Sequence, residues 1–306
     1  MRKVIDPGNM KKEIILTDNI VYSHQTDLQG KPLELKLSIM QQKEGAELKL
    51  ATGQDTPNEE GRHPLLVWIP GGGWRGADKN QMLGEMVQFV NAGYIVASIY
   101  YRSSAQGHYP DQIIDVKTAI RFLRAHADKY DIDPDRIGVF GRSAGGHLAS
   151  LAAMNEDDHT DGEWQGYSSK VQCCCDMFGP VDMLANMLME EKKFDDPKFR
   201  WHKLEDTHGG ALLGGDPATM KERAAAASPV NHVNPNMCPI LILHGDADPI
   251  VPTNVSSDIF WRKIEEAGLT DRAEYYVVMN GGHGSREFWQ DSVKELMIAF
   301  FDRHLK

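Results

Sequence analysis

No apolar run in this sequence approaches the roughly 20 residues that a membrane-spanning helix needs, so a helical membrane protein is not expected. Positive charge is also short: 33 Lys and Arg stand against 44 Asp and Glu, a formal net charge of -11. A surface built for nucleic acid or an anionic bilayer normally shows a basic excess, so neither is an expected partner. Cysteine is scarce, and three of the four are adjacent at Cys173, Cys174 and Cys175. Neighbouring strand residues point to opposite faces, so this run supplies neither a zinc-ligand set nor a disulfide framework. Buried free thiols in a reducing compartment are the expectation. The N-terminal stretch "MRKVIDPGNMKKEIIL" carries basic residues with no apolar segment of signal-peptide length behind it, and the reading is a cytoplasmic protein. Internal repeats are absent. At 41% hydrophobic and 25% charged residues the composition is that of a globular chain, neither disordered nor fibrous.

What the chain does have is alternation. Leu33, Leu35, Leu37 and Ile39 recur at period two, a half-buried antiparallel strand near a sheet edge, with "EIILTDNIVYS" as its pairing candidate. A polar, turn-rich loop from Glu44 to Pro64 leads to "LLVWI", a strand buried on both faces. Then follow the strand "YIVASIYY", a helix marked by Ile113, Val116, Ile120, Leu123 and Ala127, the strand "RIGVFG", a helix over 143–154, and the strand "VQCCCDMFG". The strand "PILILHG", a helix over 256–267, the strand "AEYYVVM" and a closing helix over 287–304 complete the series. Such a series implies an α/β fold: a mostly parallel central sheet with helices on both faces, in a single domain over 1–306. One interval breaks the rhythm. Residues 181–236 separate the sixth and seventh strands by far more than an ordinary connection, which suggests a cap, lid or substrate wall.

The chemistry concentrates in "VFGRSAGGHLAS". Ser143 stands in a Gly-x-Ser-x-Gly frame between a strand and a helix, the context of a nucleophile elbow, where small neighbours let the helix pack close behind a strained serine. A serine hydroxyl is a weak nucleophile until a base takes its proton and a carboxylate orients that base. His283, in the glycine-rich loop "MNGGHGS" after the last strand, is the candidate base. His147, one helical turn beyond the serine, reads as a packing residue or a supporting one. His63, His108 and His244 lack such a setting, while His208 is a candidate for the pocket wall. "LILHGDADPIVP" offers two carboxylates: Asp248, deeper in the loop, is the candidate acid and Asp246 is assigned to loop structure. The order Ser143, Asp248, His283 is that of the nucleophile-elbow hydrolases. Attack on a carbonyl creates an oxyanion that needs preorganised N–H donors. "IPGGGW" supplies them, with Gly72, Gly73 and the Ala144 amide as candidate donors; Trp74 beside them either stacks on a substrate ring or packs the core.

Together "GGGW", "YDIDPDRIGVFGRSAGGHLAS", "HGDADPIVP" and "GGHG" resemble the α/β-hydrolase superfamily, and within it the esterases related to hormone-sensitive lipase and the bacterial acetyl-xylan and feruloyl esterase (BD-FAE-like) group. The resemblance runs from about Pro64 onward. It implies Ser143 as nucleophile, Asp248 as orienting acid, His283 as general base, and Gly72, Gly73 and Ala144 as oxyanion donors, with no metal or organic cofactor. It also implies a serine carboxylesterase acting on small acyl esters, acetyl esters of sugars or aromatic alcohols, an acetylated oligosaccharide among the candidate substrates. An arylformamidase resembling kynurenine formamidase and a non-catalytic ligand receptor on the same fold are the rivals; homo-oligomerisation stays open. Two departures stand out. Pro70 occupies the place where relatives usually carry a histidine, and Arg142 the place where they often carry an acidic or aromatic residue. Arg142 is expected to pair with a nearby carboxylate.

Overall fold

The computed structural model describes residues 3–6, 12–43, 61–156, 159–194, 196–199, 201–216 and 219–306. Most of the expected polar loop, residues 44–60, lies outside them. The strands are β1 (Glu13–Thr26), β2 (Pro32–Lys43), β3 (His63–Ile69), β4 (Ile95–Ile99), β5 (Ile132–Arg142), β6 (Cys173–Met177), β7 (Ile240–Gly245) and β8 (Ala273–Val278). They form one sheet in the order β1-β2-β4-β3-β5-β6-β7-β8. β1 pairs antiparallel with β2 and β2 antiparallel with β4, as the period-two pattern suggests, and every later pairing is parallel.

Alternation along the central strands splits the core into two layers. Leu65, Val67 and Ile69 of β3 face one cluster, and Leu66 and Trp68 face the other. The same alternation sends Cys174 to the first layer and Cys173 and Cys175 to the second, all four cysteines being buried free thiols. Helices α2 (Asp111–Ala125), α3 (Ala144–Ala153) and α7 (Ser257–Glu266) cover the first face through residues such as Ile120, Leu148 and Phe260. Helices α1 (Leu83–Asn91) and α8 (Asp291–Leu305) cover the second through Phe89 and Phe301. Each such fully buried side chain contributes roughly 1.5–3 kcal/mol of transfer free energy, which is why helices must lie on both faces of so apolar a sheet. No helix among the described residues is long and apolar enough to cross a membrane.

Outside residues 181–236, two helices differ from the sequence reading. Helix α1 was not read at all, although Met86, Phe89 and Val90 are spaced to bury one face. The closing helix begins at Asp291, because extended backbone at Gln290 separates it from a 3-10 turn over Arg286–Trp289.

Between β6 and β7 the chain forms α4 (Met183–Glu191), α5 (His208–Leu213) and α6 (Lys221–Ala226). Asp182 caps α4 by accepting the Ala185 amide, and Thr207 caps α5 by accepting that of Gly210. Met183, Met187, Leu212 and Leu213 then anchor these helices in the first core layer. The segment therefore stands at the carboxyl ends of the parallel strands, where ligands bind in open α/β sheets.

Candidate active site

β5 ends at Arg142 and α3 starts at Ala144, which leaves Ser143 as the hinge with φ 52° and ψ -122°. A non-glycine residue in so rarely occupied a region persists only when its surroundings over-determine it. Here they do: a Cβ on Gly145 would lie 1.9 Å from the Ile69 carbonyl oxygen, so glycine is what lets α3 close against β3. The Met177 carbonyl accepts the Ser143 amide at 2.9 Å, and the His147 amide donates to the Ser143 carbonyl at 3.0 Å to start the helix.

Three loops at the same sheet edge bring the predicted side chains together. His283, following β8, holds its Nε2 2.8 Å from Ser143 Oγ and its Nδ1 2.7 Å from Asp248 Oδ2. A carboxylate can only accept, so Nδ1 carries the proton and Nε2 is left to accept from the serine hydroxyl. The other oxygen of Asp248 accepts the amides of Ile250 and Val251 at 2.8 and 2.9 Å. Burial pushes the Asp248 carboxyl up, but hydrogen bonds from His244 and His283, the charge at His283 and the Val251 amide outweigh it and hold the group well below the usual carboxylate range. His244 Nε2 lies 3.5 Å from Asp248 Oδ2 and donates to the Val251 carbonyl at 2.7 Å. Asp246 accepts the Asn280 amide at 2.6 Å and so ties two loops together, away from His283.

The glycine loop after β3 forms the adjoining wall. Gly73 has φ 59°, and a Cβ there would sit 2.4 Å from the His208 ring, so a side chain is excluded by both backbone and neighbour. Among the described residues no protein acceptor engages the amides of Gly72, Gly73 or Ala144. Tyr101 donates to the Pro70 carbonyl at 2.9 Å and so fixes the start of the loop where relatives were expected to carry histidine. Trp74 is only 2% exposed and donates its indole N–H to His147 Nδ1 at 3.2 Å. With so little surface left, its ring serves packing far better than stacking on a substrate. His147 in turn donates from Nε2 to the Ala227 carbonyl at 2.6 Å, and burial pushes its pKa down to about 4, which keeps the ring neutral.

Arg142 departs from expectation. Its Nη2 donates to Gln81 Oε1 at 2.6 Å, and no described carboxylate pairs with it. The side chain of Gln81 gets there first, on the loop that follows the glycines, and gives a neutral partner in place of an anionic one.

A cavity of about 280 Å³ opens over Ser143, bounded on one side by Gly71–Trp74, Ala144 and His283 and on the other by residues of the 181–236 segment. Sequence reading singled out His208 from that segment but not Trp201, Asn186, Glu190 or Lys193, which also line the cavity. The available signal was the four-residue spacing of Asn186 and Glu190 on α4, which puts them on a shared helix face, while Lys193 follows two residues past the helix end. Lys193 donates to the Pro249 and Ile250 carbonyls at 3.1 Å, which fastens the segment to the loop that carries Asp248.

A family model described as BD-FAE matches residues 54–263. The chain is 33% identical over 195 residues to the "Probable carboxylic ester hydrolase LipM" of Mycobacterium tuberculosis, covering 63% of this chain and 43% of that protein. It is 32% identical over 224 residues to "Esterase LipQ" of the same organism, covering 72% and 50%. The chain thus spans about half the length of these curated relatives, or less. Among solved structures, the "Truncated form of carbohydrate esterase from gut microbiota" superposes with a TM-score of 0.74 at 27% identity, covering 95% of this chain and 96% of that one. The fold is the α/β-hydrolase fold that the sequence led one to expect.

Proposed function

Because the chain belongs to the BD-FAE family, we propose that it is a serine carboxylesterase that cleaves small acyl esters of sugars or aromatic alcohols through an acyl-enzyme. The observation that carries this reading is the continuous relay from Ser143 Oγ to His283 Nε2 at 2.8 Å and from His283 Nδ1 to Asp248 at 2.7 Å. In the proposed reaction His283 removes the hydroxyl proton as Ser143 attacks the ester carbonyl. The resulting oxyanion accepts hydrogen bonds from the amides of Gly72, Gly73 and Ala144, each donor of this kind being worth about 3 kcal/mol of barrier. His283 then hands its proton to the departing alcohol, and a water molecule repeats the cycle on the acyl-enzyme. Asp248, whose pKa is held low, stays ionised throughout and stabilises the imidazolium.

The cavity volume of about 280 Å³ favours short acyl groups, and the likeness to a carbohydrate esterase favours a sugar as the alcohol. The test is turnover of p-nitrophenyl acetate beside longer acyl esters and N-formylkynurenine. We expect acetate and other short chains to lead, Ser143→Ala to lose about 10⁶-fold in kcat and Asp248→Asn about 10⁴-fold. Faster turnover of the formamide would favour the arylformamidase instead.

A further inference from the structure

The wall of the cavity opposite the glycine loop is polar in a way that ester cleavage alone does not require. Asn186 on α4 is 3% exposed and lines the cavity, yet among the described residues its side-chain amide makes no hydrogen bond, and Oδ1 is fully buried. Leaving a buried amide unpaired is costly, and an apolar side chain at this position would avoid that cost. One turn further along the same helix face, Glu190 is 4% exposed and its carboxylate accepts from His208 Nδ1 and from the Gly209 amide, both at 3.2 Å. This bond puts the proton of a neutral His208 on Nδ1, and Nε2 becomes an acceptor with no described protein partner. The ring is not sealed away: its side chain is 31% exposed, it lines the cavity, and its Cδ2–Nε2 edge lies directly over Gly73.

Resting on the ester-hydrolase reading above, we infer that Asn186 and His208 form a hydroxyl-recognition subsite that selects a polyhydroxylated alcohol, a sugar, over an aryl one. A sugar hydroxyl both donates and accepts. His208 Nε2 accepts a hydrogen bond from it, and the Asn186 amide donates to a hydroxyl or ring oxygen; an amide turned end for end would accept instead. Glu190 is a positioning residue that holds the ring's tautomer. A simple aryl ester carries no hydroxyl besides the esterified oxygen, so it leaves His208 Nε2 and the Asn186 amide without a partner, which is how a polar pocket discriminates.

The experiment compares kcat/KM for a mono-acetylated methyl xyloside and for phenyl acetate in the wild type, Asn186→Leu, His208→Phe and His208→Gln. The ratio of xyloside to phenyl ester is expected to fall at least about tenfold in Asn186→Leu and in His208→Phe, chiefly through KM. His208→Gln, which restores an acceptor, should keep more of it. Fluorophosphonate labelling at Ser143 in each variant reports whether the fold and relay survive. Asn186→Leu should not lower the unfolding midpoint, because it removes an unpaired buried polar group. Ratios within twofold of wild type would mean that water alone satisfies Asn186, and equal loss of both activities would mean a structural role; either overturns the inference. Phenyl acetate turnover by the wild type that vanishes in Ser143→Ala sustains the ester reading whichever way the ratio falls. No turnover of either ester would sink both.

Discussion

At the scale of single residues the site depends on side chains whose protonation is fixed by what surrounds them. His147 is the clearest: it lies wholly inside the protein between the Trp74 indole and the Ala227 carbonyl, and burial lowers its pKa from 6.5 to about 4. A histidine that binds its proton less readily when folded contributes stability that is full above pH 6.5 and drains as pH falls toward 4. The shift corresponds to about 3 kcal/mol. His147→Gln keeps an acceptor for Trp74 but does not titrate. Denaturant unfolding from pH 7 to pH 4 should therefore show the wild type losing up to about 3 kcal/mol more than the variant. Parallel curves would contradict the buried neutral ring. The serine, histidine and aspartate of the candidate relay were legible in the sequence because each sits beside a glycine or aspartate signal that fixes its loop. Asn186 and Glu190 were not, because nothing local to α4 marks a helix face as turned toward a cavity made by other elements.

At the scale of elements the decisive contact is α3 against β3. Adding a methyl group at Gly145 would place it 1.9 Å from the Ile69 carbonyl, backbone against backbone, where no rotamer can relieve the clash. Gly145→Ala should thus cost about 1–3 kcal/mol or more of stability and displace the Ser143 turn, with esterase activity falling further than the unfolding midpoint alone explains. Thermal melts beside p-nitrophenyl acetate kinetics check both, and a fully active, equally stable variant would show that the helix has room to move. The strands were readable for the same reason that they are buried: β3 and β7 are nearly continuous apolar runs, and β5 and β6 carry shorter ones over 137–140 and 173–175. Helix α1 escaped because it is nine residues long, carries Gly84 in its first turn and has an N-cap at Met82 with no side-chain bond. Periodicity over so short a span does not separate a helix from a loop.

At the scale of the whole molecule, the question is whether the 181–236 segment is a loosely hinged lid or part of the body. Met183, Met187, Leu212, Leu213 and Ala224 share one core layer with Leu148 of α3 and Val67 of β3, and Lys193 clasps the loop that carries Asp248. We therefore expect native-state hydrogen exchange to find α4 and the second half of α3 released together as denaturant rises; exchange of α4 at far lower denaturant would mark a separate, mobile lid. The connection itself was visible as an interruption in the strand–helix rhythm, but its three short helices were not, since each is stabilised by partners distant in sequence. All of these scales meet at one oxygen atom. Fluorophosphonate labelling of the purified protein followed by peptide mass spectrometry tests it most directly. The account predicts a single adduct on Ser143, absent in Ser143→Ala and formed far more slowly in His283→Ala. No adduct, or an adduct on another residue while Ser143 stays unmodified, would contradict it.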